Sequence, residues 1–307
     1  MIDLDAVRSL RTVAREGSVS GAAVALGFTP SAVSQQIKRL ERETGVALLE
    51  RVGRGVTLTD AGTQLVVGST PILAELERLR ADLQATAPRA GTISGELRIA
   101  AFSTVVRGLL APLLVDLARE HPDLRLLVRE SEPWETVALI ASGQRDLGIA
   151  HQWGGVALAI PENIVVTPLF TDVADVIVHR DHPLADRAVL HPADLAGEAW
   201  VATFETTICR QWLRRLFDGV RNAPRVLYES MEFENHLELA RTGAVVALVP
   251  RLGRAPLGPD LVAIPTIDPA STRDVVAVHR RSQADSPALR TTLAALRERG
   301  RALDGGR

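Results

Sequence analysis

The stretch from Thr29 to Gly45 constrains the fold of this chain more than any other. A threonine hydroxyl can accept from an orphan N–H at a helix start, and the proline after it loses nothing by lacking its own. Val33, Ile37 and Leu40 recur at i, i+4 and i+7, one apolar stripe of a helix, and Gly45 ends the pattern. Ser31, Ser34, Gln35 and Lys38 fall on the opposite side: two short hydroxyls, an amide and a cation. Amides and hydroxyls hydrogen-bond to base edges, and a lysine reaches guanine or phosphate, so this face suits a major groove. Just upstream, Gly17 to Gly27 reads as a shorter helix capped by Ser18 and stopped by Gly27, with alanines and Gly21 permitting close approach of a neighbour. Two helices joined by a turn at Gly27-Phe28, the second presenting the polar set, form a helix-turn-helix.

The flanks extend that unit. Leu4 to Glu16 is a supporting helix, with Leu4, Val7, Leu10 and Val13 on one side. After Gly45, Val46–Arg51 and Val56–Thr59 read as two short strands, and Gly53-Arg54-Gly55 makes the tip between them. Glycines free the backbone to turn, which leaves Arg54 projecting as the minor-groove arginine of a winged helix. Thr59-Asp60-Ala61-Gly62 then starts a long helix. Leu65, Ser69, Ile72, Leu76, Leu79 and Leu83 are spaced as a heptad seam, beside a charged flank of Glu75, Glu77, Arg78, Arg80 and Asp82. A leucine stripe on one helix needs a partner, so a homodimer is expected, with two recognition helices set across a two-fold axis. Pro71 predicts a bend near Gly68–Pro71 or a break that shortens the seam.

This N-terminal segment resembles the LysR-type transcriptional regulators. The matching residues are Leu4, Gly17-Ser18, Ala22-Ala23, Leu26, Thr29, Ala32-Val33-Ser34, Gln36-Ile37, Leu40-Glu41, Gly45, Leu48-Leu49, Arg51, Arg54, Leu58-Thr59 and Ala61-Gly62. It departs from the family pattern at Leu49, where phenylalanine is common, and at Pro30-Ser31, where glutamine-proline is usual. Residue pattern and resemblance together give the expected DNA contacts as Ser18, Thr29, Pro30, Ser31, Ser34, Gln35, Lys38, Arg51 and Arg54.

Pro88-Arg89-Ala90-Gly91 ends the long helix and reads as a hinge. Beyond Gly95 the pattern alternates. Glu96–Ala101, Leu124–Glu130 and Asp146–Ala150 read as strands, with Val105–Glu120 and Trp134–Ser142 as helices between them. A second set has strands at Val173–His179, Ala199–Ala202, Arg225–Tyr228 and Gly243–Pro250, with helices around Ile208–Phe217 and Phe233–Thr242. Thr272–His279 is a further strand and Ser286–Arg299 a terminal amphipathic helix. Alternation of this kind implies a largely parallel α/β sheet. Gly95-Glu96-Leu97-Arg98-Ile99, His121-Pro122, Gly143 with Asp146-Leu147, His182-Pro183-Leu184-Ala185, Asp194-Leu195-Ala196-Gly197 and Gly243–Pro250 resemble the effector-binding domain of the same family, itself similar to periplasmic binding proteins. The resemblance implies two lobes with crossovers near Pro161–Pro168 and Pro265–Pro269, the first lobe closed by the returning C-terminal segment.

The expected architecture is therefore α+β and multidomain: a winged helix-turn-helix over 1–59, a linker and dimerisation helix over 60–88, and an effector-binding domain over 92–307. Lobe I would take about 92–162 and 269–307, and lobe II about 168–265. Ligands in open α/β sheets lie beyond the carboxyl ends of strands. That selects Ser103 and Thr104, whose hydroxyls serve equally well as a helix cap, with Glu130, His151, Thr203 and Phe204 as further effector-binding candidates. The resemblance adds that comparable positions between the lobes hold small-molecule inducers.

Composition narrows the alternatives. With 307 residues, 46% hydrophobic and 23% charged, about two domains with substantial cores are expected. The net charge is −2, and residues 1–62 hold eight Lys and Arg against seven acids, so DNA binding must rest on where the basic groups sit. No apolar run of about 18 residues occurs and no signal peptide opens the chain, which predicts a cytoplasmic protein that makes no use of a membrane. The single cysteine, Cys209, rules out an intrachain disulfide and thiolate-rich metal sites, and with them the two-cysteine route to peroxide sensing used by some relatives. It reads as a small buried apolar residue. No G-x-S-x-G, phosphate loop, H-E-x-x-H or G-x-G-x-x-G after a strand is present. His179 and His182 lack a carboxylate or cysteine at ligand spacing.

These observations point to a non-enzymatic regulator without metal or cofactor. Its expected partners are double-stranded DNA, a small-molecule effector, a second or further copies of itself (dimer or tetramer) and, by resemblance, RNA polymerase. The competing reading is a cytoplasmic solute-binding or enzymatic α/β protein with an appended DNA-tethering domain.

Overall fold

The computed structural model describes residues 2–53, 55–85, 93–221 and 224–305. The chain divides into two compact units. The first is built on the N-terminal helices. Helix α1 (Leu4–Glu16) is capped by Asp3, whose carboxylate accepts from the Asp5 and Ala6 amides. Helix α2 (Val19–Leu26) is capped by Ser18, which accepts from Gly21 N, and ends at Gly27 with φ +70°, a left-handed turn that glycine adopts without steric cost. Helix α3 (Pro30–Thr44) starts from Thr29 as the sequence predicts. Ala6, Val7, Leu10, Val13, Ala22, Ala23, Val33, Ile37 and Leu40 close into one buried core. Each large aliphatic side chain sealed there contributes roughly 1.5–3 kcal/mol.

Strands β1 (Leu49–Val52) and β2 (Gly55–Leu58) pair antiparallel as the wing. The first starts three residues later than the sequence suggests. The Glu41 carboxylate at the end of α3 takes the Leu48 and Leu49 amides at 2.9 and 3.4 Å, which holds that approach to the helix. Helix α4 (Asp60–Ala85) follows directly, and Gly62 is required: a Cβ there would stand 2.2 Å from the Leu48 carbonyl oxygen. Pro71 lies inside α4 without interrupting it, contrary to the predicted break. Thr70 Oγ1 and Ser69 Oγ both donate to the Val66 carbonyl in the turn before the proline. The expected heptad seam is split. Leu65 packs against the helix-turn-helix core and Ser69 is buried, while Ile72, Leu76, Leu79 and Leu83 are exposed.

The second unit is the α/β body. In order along the chain come β3 (Gly95–Ala101), α5 (Ser103–Val105), a π-helical turn (Val106–Leu110), α6 (Ala111–Glu120), β4 (Leu124–Glu130), α7 (Pro133–Ala141) and β5 (Leu147–Trp153). Strand β6 (Ile164–His179) leads into β7 (Ala199–Ala202), α8 (Ile208–Leu216), β8 (Arg225–Glu229), α9 (Phe233–Arg241), β9 (Val246–Pro250), β10 (Leu261–Pro265), β11 (Thr272–Arg280) and α10 (Pro287–Gly305). The sheet runs β4-β3-β5-β11-β6-β9-β7-β8, with β10 paired to β6. Strand β3 is parallel to β4 and β5, and β7 is parallel to β8 and β9, so each half is a β-α-β layer.

Two sets of apolar residues define the two lobes. Leu97, Ile99, Leu109, Leu113, Ile149 and Phe170 belong to the first, which α10 closes through Leu289 and Leu296. The second is built around Trp200, Ile208, Leu213 and Leu216, with a companion cluster under α9. Strand β6 has 16 residues and is common to both lobes, whereas the sequence pattern places a crossover at Pro161–Pro168, over its start. Pro168 stands four residues inside the strand.

Candidate nucleic-acid interface and effector pocket

On α3 the apolar stripe is sealed, with Val33 and Leu40 wholly buried and Ile37 nearly so. Thr29, Pro30, Ser31, Gln35 and Lys38 are exposed, and Ser34 is half-buried at the edge of the same face. The Thr29 hydroxyl accepts from Ala32 N at 3.2 Å and lies 3.0 Å from Ser31 Oγ, so the first turn presents paired hydroxyls. Gln36 points the other way: Ser9 Oγ donates to its Oε1 at 2.5 Å, pinning α1 to α3. One amide of the Gln35-Gln36 pair is thus spent on the fold and the other is left outward. A wide concavity of about 970 Å³ runs beside the second half of α3, edged by Gln35, Lys38, Arg39 and Arg42. Arg51 is exposed on β1, Ser18 is half-buried in its cap, and Arg54 lies outside the described residues.

In the α/β body the strand ends carry a buried charged centre. Arg273 on β11 is 1% exposed and Asp172 on β6 is fully buried. The guanidinium donates to Asp172 Oδ2 at 3.0 Å through Nε and to Thr104 Oγ1 at 2.7 Å through Nη2. Its carbon stands 5.0 Å from the Phe102 ring centroid and 5.7 Å from that of Trp153, within cation–π reach of both. The other Asp172 oxygen takes the Val173 and Leu252 amides. His151 sits edge-on to Phe102 and Trp153. Burial, and then the Arg273 charge, hold its pKa well below the ordinary histidine value, so the ring is neutral.

A cavity of about 20 Å³, room for one water, lies behind Trp153 on the lobe II side. Its walls include Thr203, Cys209, Arg210, Phe233 and His236. Thr203 and Thr207 share a 2.6 Å hydroxyl–hydroxyl bond, and Thr207 caps α8 by accepting from Arg210 N. Arg210 is nearly buried; its Nη1 donates to the Thr203 carbonyl at 3.1 Å and to Glu229 at 3.3 Å. Burial pushes the Cys209 thiol up to about 11.

The sequence candidates separate in space. Thr203 lines this cavity, and Thr104 is committed to Arg273. Ser103 is half-buried at the start of α5, and Glu130 is exposed at the end of β4. Phe204 is exposed, outside the cavity wall. Arg273, Asp172 and Arg210 escape a reading of the sequence, because no local pattern marks partners that fold together from 19 to 169 residues apart, and nothing in the sequence marks His236 either. His179 and His182 each accept a turn amide through Nδ1, from Asp181 and Leu184. Among the described residues no cluster of three potential metal ligands occurs, and no helix is long and apolar enough to cross a membrane.

Two family models match this chain. Residues 4–63 match the bacterial regulatory helix-turn-helix protein, lysR family, and residues 90–301 the LysR substrate binding domain. The chain belongs to the LysR family of DNA-binding transcriptional regulators. This LysR-type chain is 29% identical over 301 residues to the uncharacterized HTH-type transcriptional regulator YfeR of Shigella flexneri, covering 96% of this chain and 94% of that one. It is 33% identical over 166 residues to a hydrogen peroxide-inducible genes activator of Pectobacterium carotovorum subsp. carotovorum, covering 54% and 52%. A full-length OxyR variant from Pseudomonas aeruginosa has the same fold, with a TM-score of 0.67 at 21% identity over 98% of this chain and 95% of that one. The substrate-domain match gives the lobed body its role as the effector-binding part of a LysR regulator.

Proposed function

We propose that this regulator acts as a homo-oligomer in the cytoplasm, reading DNA through Thr29, Pro30, Ser31, Ser34, Gln35 and Lys38, with Ser18, Arg51 and Arg54 on the flanking backbone and minor groove. The observation that carries this reading is the division of α3 into a sealed apolar side and an outward hydroxyl–amide side. Pairing of two chains is supported by the exposed Ile72, Leu76 and Leu79 of α4, an apolar seam at heptad spacing. A small molecule bound in the lobed body changes how the copies pack and hence how RNA polymerase is engaged. It can do so only to the extent that it binds one arrangement better than the other. The chain itself catalyses no reaction.

The effector acts by reversible binding and not by thiol oxidation. A thiol raised to about 11 holds almost no thiolate at neutral pH, and thiolate is the form that attacks a peroxide. The hydrogen peroxide response in the Pectobacterium relative's name is thus not carried over to Cys209. Footprinting of the purified chain on the DNA upstream of its own gene, with and without hydrogen peroxide, tests both statements. A protected two-fold site indifferent to peroxide is expected. No protection anywhere overturns the DNA reading, and a peroxide-dependent footprint with a Cys209 sulfenic acid adduct overturns the effector reading.

A further inference from the structure

Resting on the ligand-binding reading of the lobed body, we propose that the cavity between Trp153, Thr203, Cys209, Arg210, Phe233 and His236 receives a short 2-hydroxy carboxylate. The decisive group is His236. Its Nε2 lies 2.9 Å from the Ser230 carbonyl oxygen, which can only accept, so Nε2 carries the proton and Nδ1 is a bare acceptor. That Nδ1 is buried with no hydrogen-bond partner, in a side chain 1% exposed. Burial keeps the ring neutral, so it does not acquire its own proton at neutral pH. An acceptor left bare in such a place is destabilising, and a ligand donor removes that penalty.

Another lining residue, Arg210, fixes the other end of the ligand. Arg210 is a nearly buried cation whose carboxylate neighbours, Glu229 at 3.3 Å and Glu205 at 3.9 Å, are 47% and 72% exposed. The protonated Cys209 thiol stands in the same lining, while the Thr203 hydroxyl donates to Thr207, whose own proton goes to the Phe204 carbonyl. A carboxylate on the ligand meets the Arg210 cation and the first turn of the nine-residue α8. The donor facing His236 must be neutral. No carboxylate lines the cavity, so a buried ammonium there would stand beside the Arg210 guanidinium with no anion in contact with it. A hydroxyl satisfies Nδ1 with no such penalty. Trp153, Val201, Leu213, Phe233 and Leu248 supply apolar walls that suit a few carbons.

At about 20 Å³ the cavity is too small for such a molecule as it stands. Entry therefore moves the walls, and a ligand that binds only by opening the site shifts the population of the opened form. Binding and regulation are then one event.

Titration calorimetry of the full-length chain with sodium lactate, propionate and alanine separates the chemistries. Lactate in one enantiomer is expected to bind at millimolar concentration or below, with propionate (no hydroxyl) and alanine (ammonium in place of hydroxyl) each at least tenfold weaker. His236→Phe should bring lactate and propionate to within about twofold, and Arg210→Gln should weaken both at least tenfold. Circular dichroism of each variant shows whether it is folded, and the three ligands on the unmodified chain decide the matter if either variant is not. Propionate or alanine binding as tightly as lactate, or no binding of any of the three, overturns the assignment. An intact DNA footprint alongside that failure leaves the regulator standing, and loss of the footprint removes it independently.

Discussion

Gln35 and Gln36 are chemically identical neighbours with opposite fates. The hydroxyl of Ser9 holds Gln36 inside the domain, and Gln35 faces outward about one hundred degrees round α3 from it. Gln35→Ala is expected to weaken specific DNA binding by about 1–3 kcal/mol, the cost of a lost base contact, with binding to random DNA almost unchanged in a fluorescence-anisotropy titration. Equal losses on both DNAs would place Gln35 on a phosphate. His151 gives a second residue-level test. Its folded pKa lies below that of the unfolded chain, so on acidification the unfolded state takes up a proton the native state refuses. Stability contributed by the neutral ring is complete above the ordinary histidine pKa near 6.5 and declines as pH falls below it, at up to about 1.4 kcal/mol per pH unit. His151→Leu, similar in volume between Phe102 and Trp153, should flatten the denaturation-midpoint profile between about pH 6.5 and 5; an unchanged slope would mean the ring protonates in place.

Among the elements, α4 is the one whose faces disagree with a single chain. Leu76 and Leu79 stand in water at 43% and 53% exposure, one turn apart on a helix whose other side is already packed. Leu76→Glu with Leu79→Glu should convert the assembly to monomers in sedimentation velocity while leaving helix content intact; an unchanged sedimentation coefficient would put the contact elsewhere. Helix limits are the most legible part of the sequence. Thr29-Pro30, Ser18 and Gly45 act within one turn, and the structure places α2 and α3 between them. Misreadings come from residues whose effect depends on distant partners. Pro71 suggests a bend or a break, and α4 continues through it without a break. Pro161 and Pro168 disguise the start of β6, and β10 goes unread. The candidate pocket is least legible. Thr203 can be placed by the rule for strand ends, but Arg210, His236 and Arg273 become neighbours only after the lobes form.

For the molecule as a whole, the Asp172–Arg273 pair joins β6 to β11 beneath both lobes and ties Thr104 to them. Asp172→Asn would leave a buried guanidinium without its counter-charge, and a loss of about 3–5 kcal/mol in urea-unfolding stability is expected. A smaller loss with a shallower urea dependence would instead signal water entering around Arg273 in the folded state. Strand β6 carries a wider consequence. Because one uninterrupted length of backbone serves both lobes, they cannot swing apart like halves of a clasp joined by a loose thread. Relative movement must be taken up as torsion along a hydrogen-bonded ribbon, whose restoring force opposes every departure from rest. Such a body behaves as a spring with a short stroke, returning to its starting shape as soon as the occupant leaves.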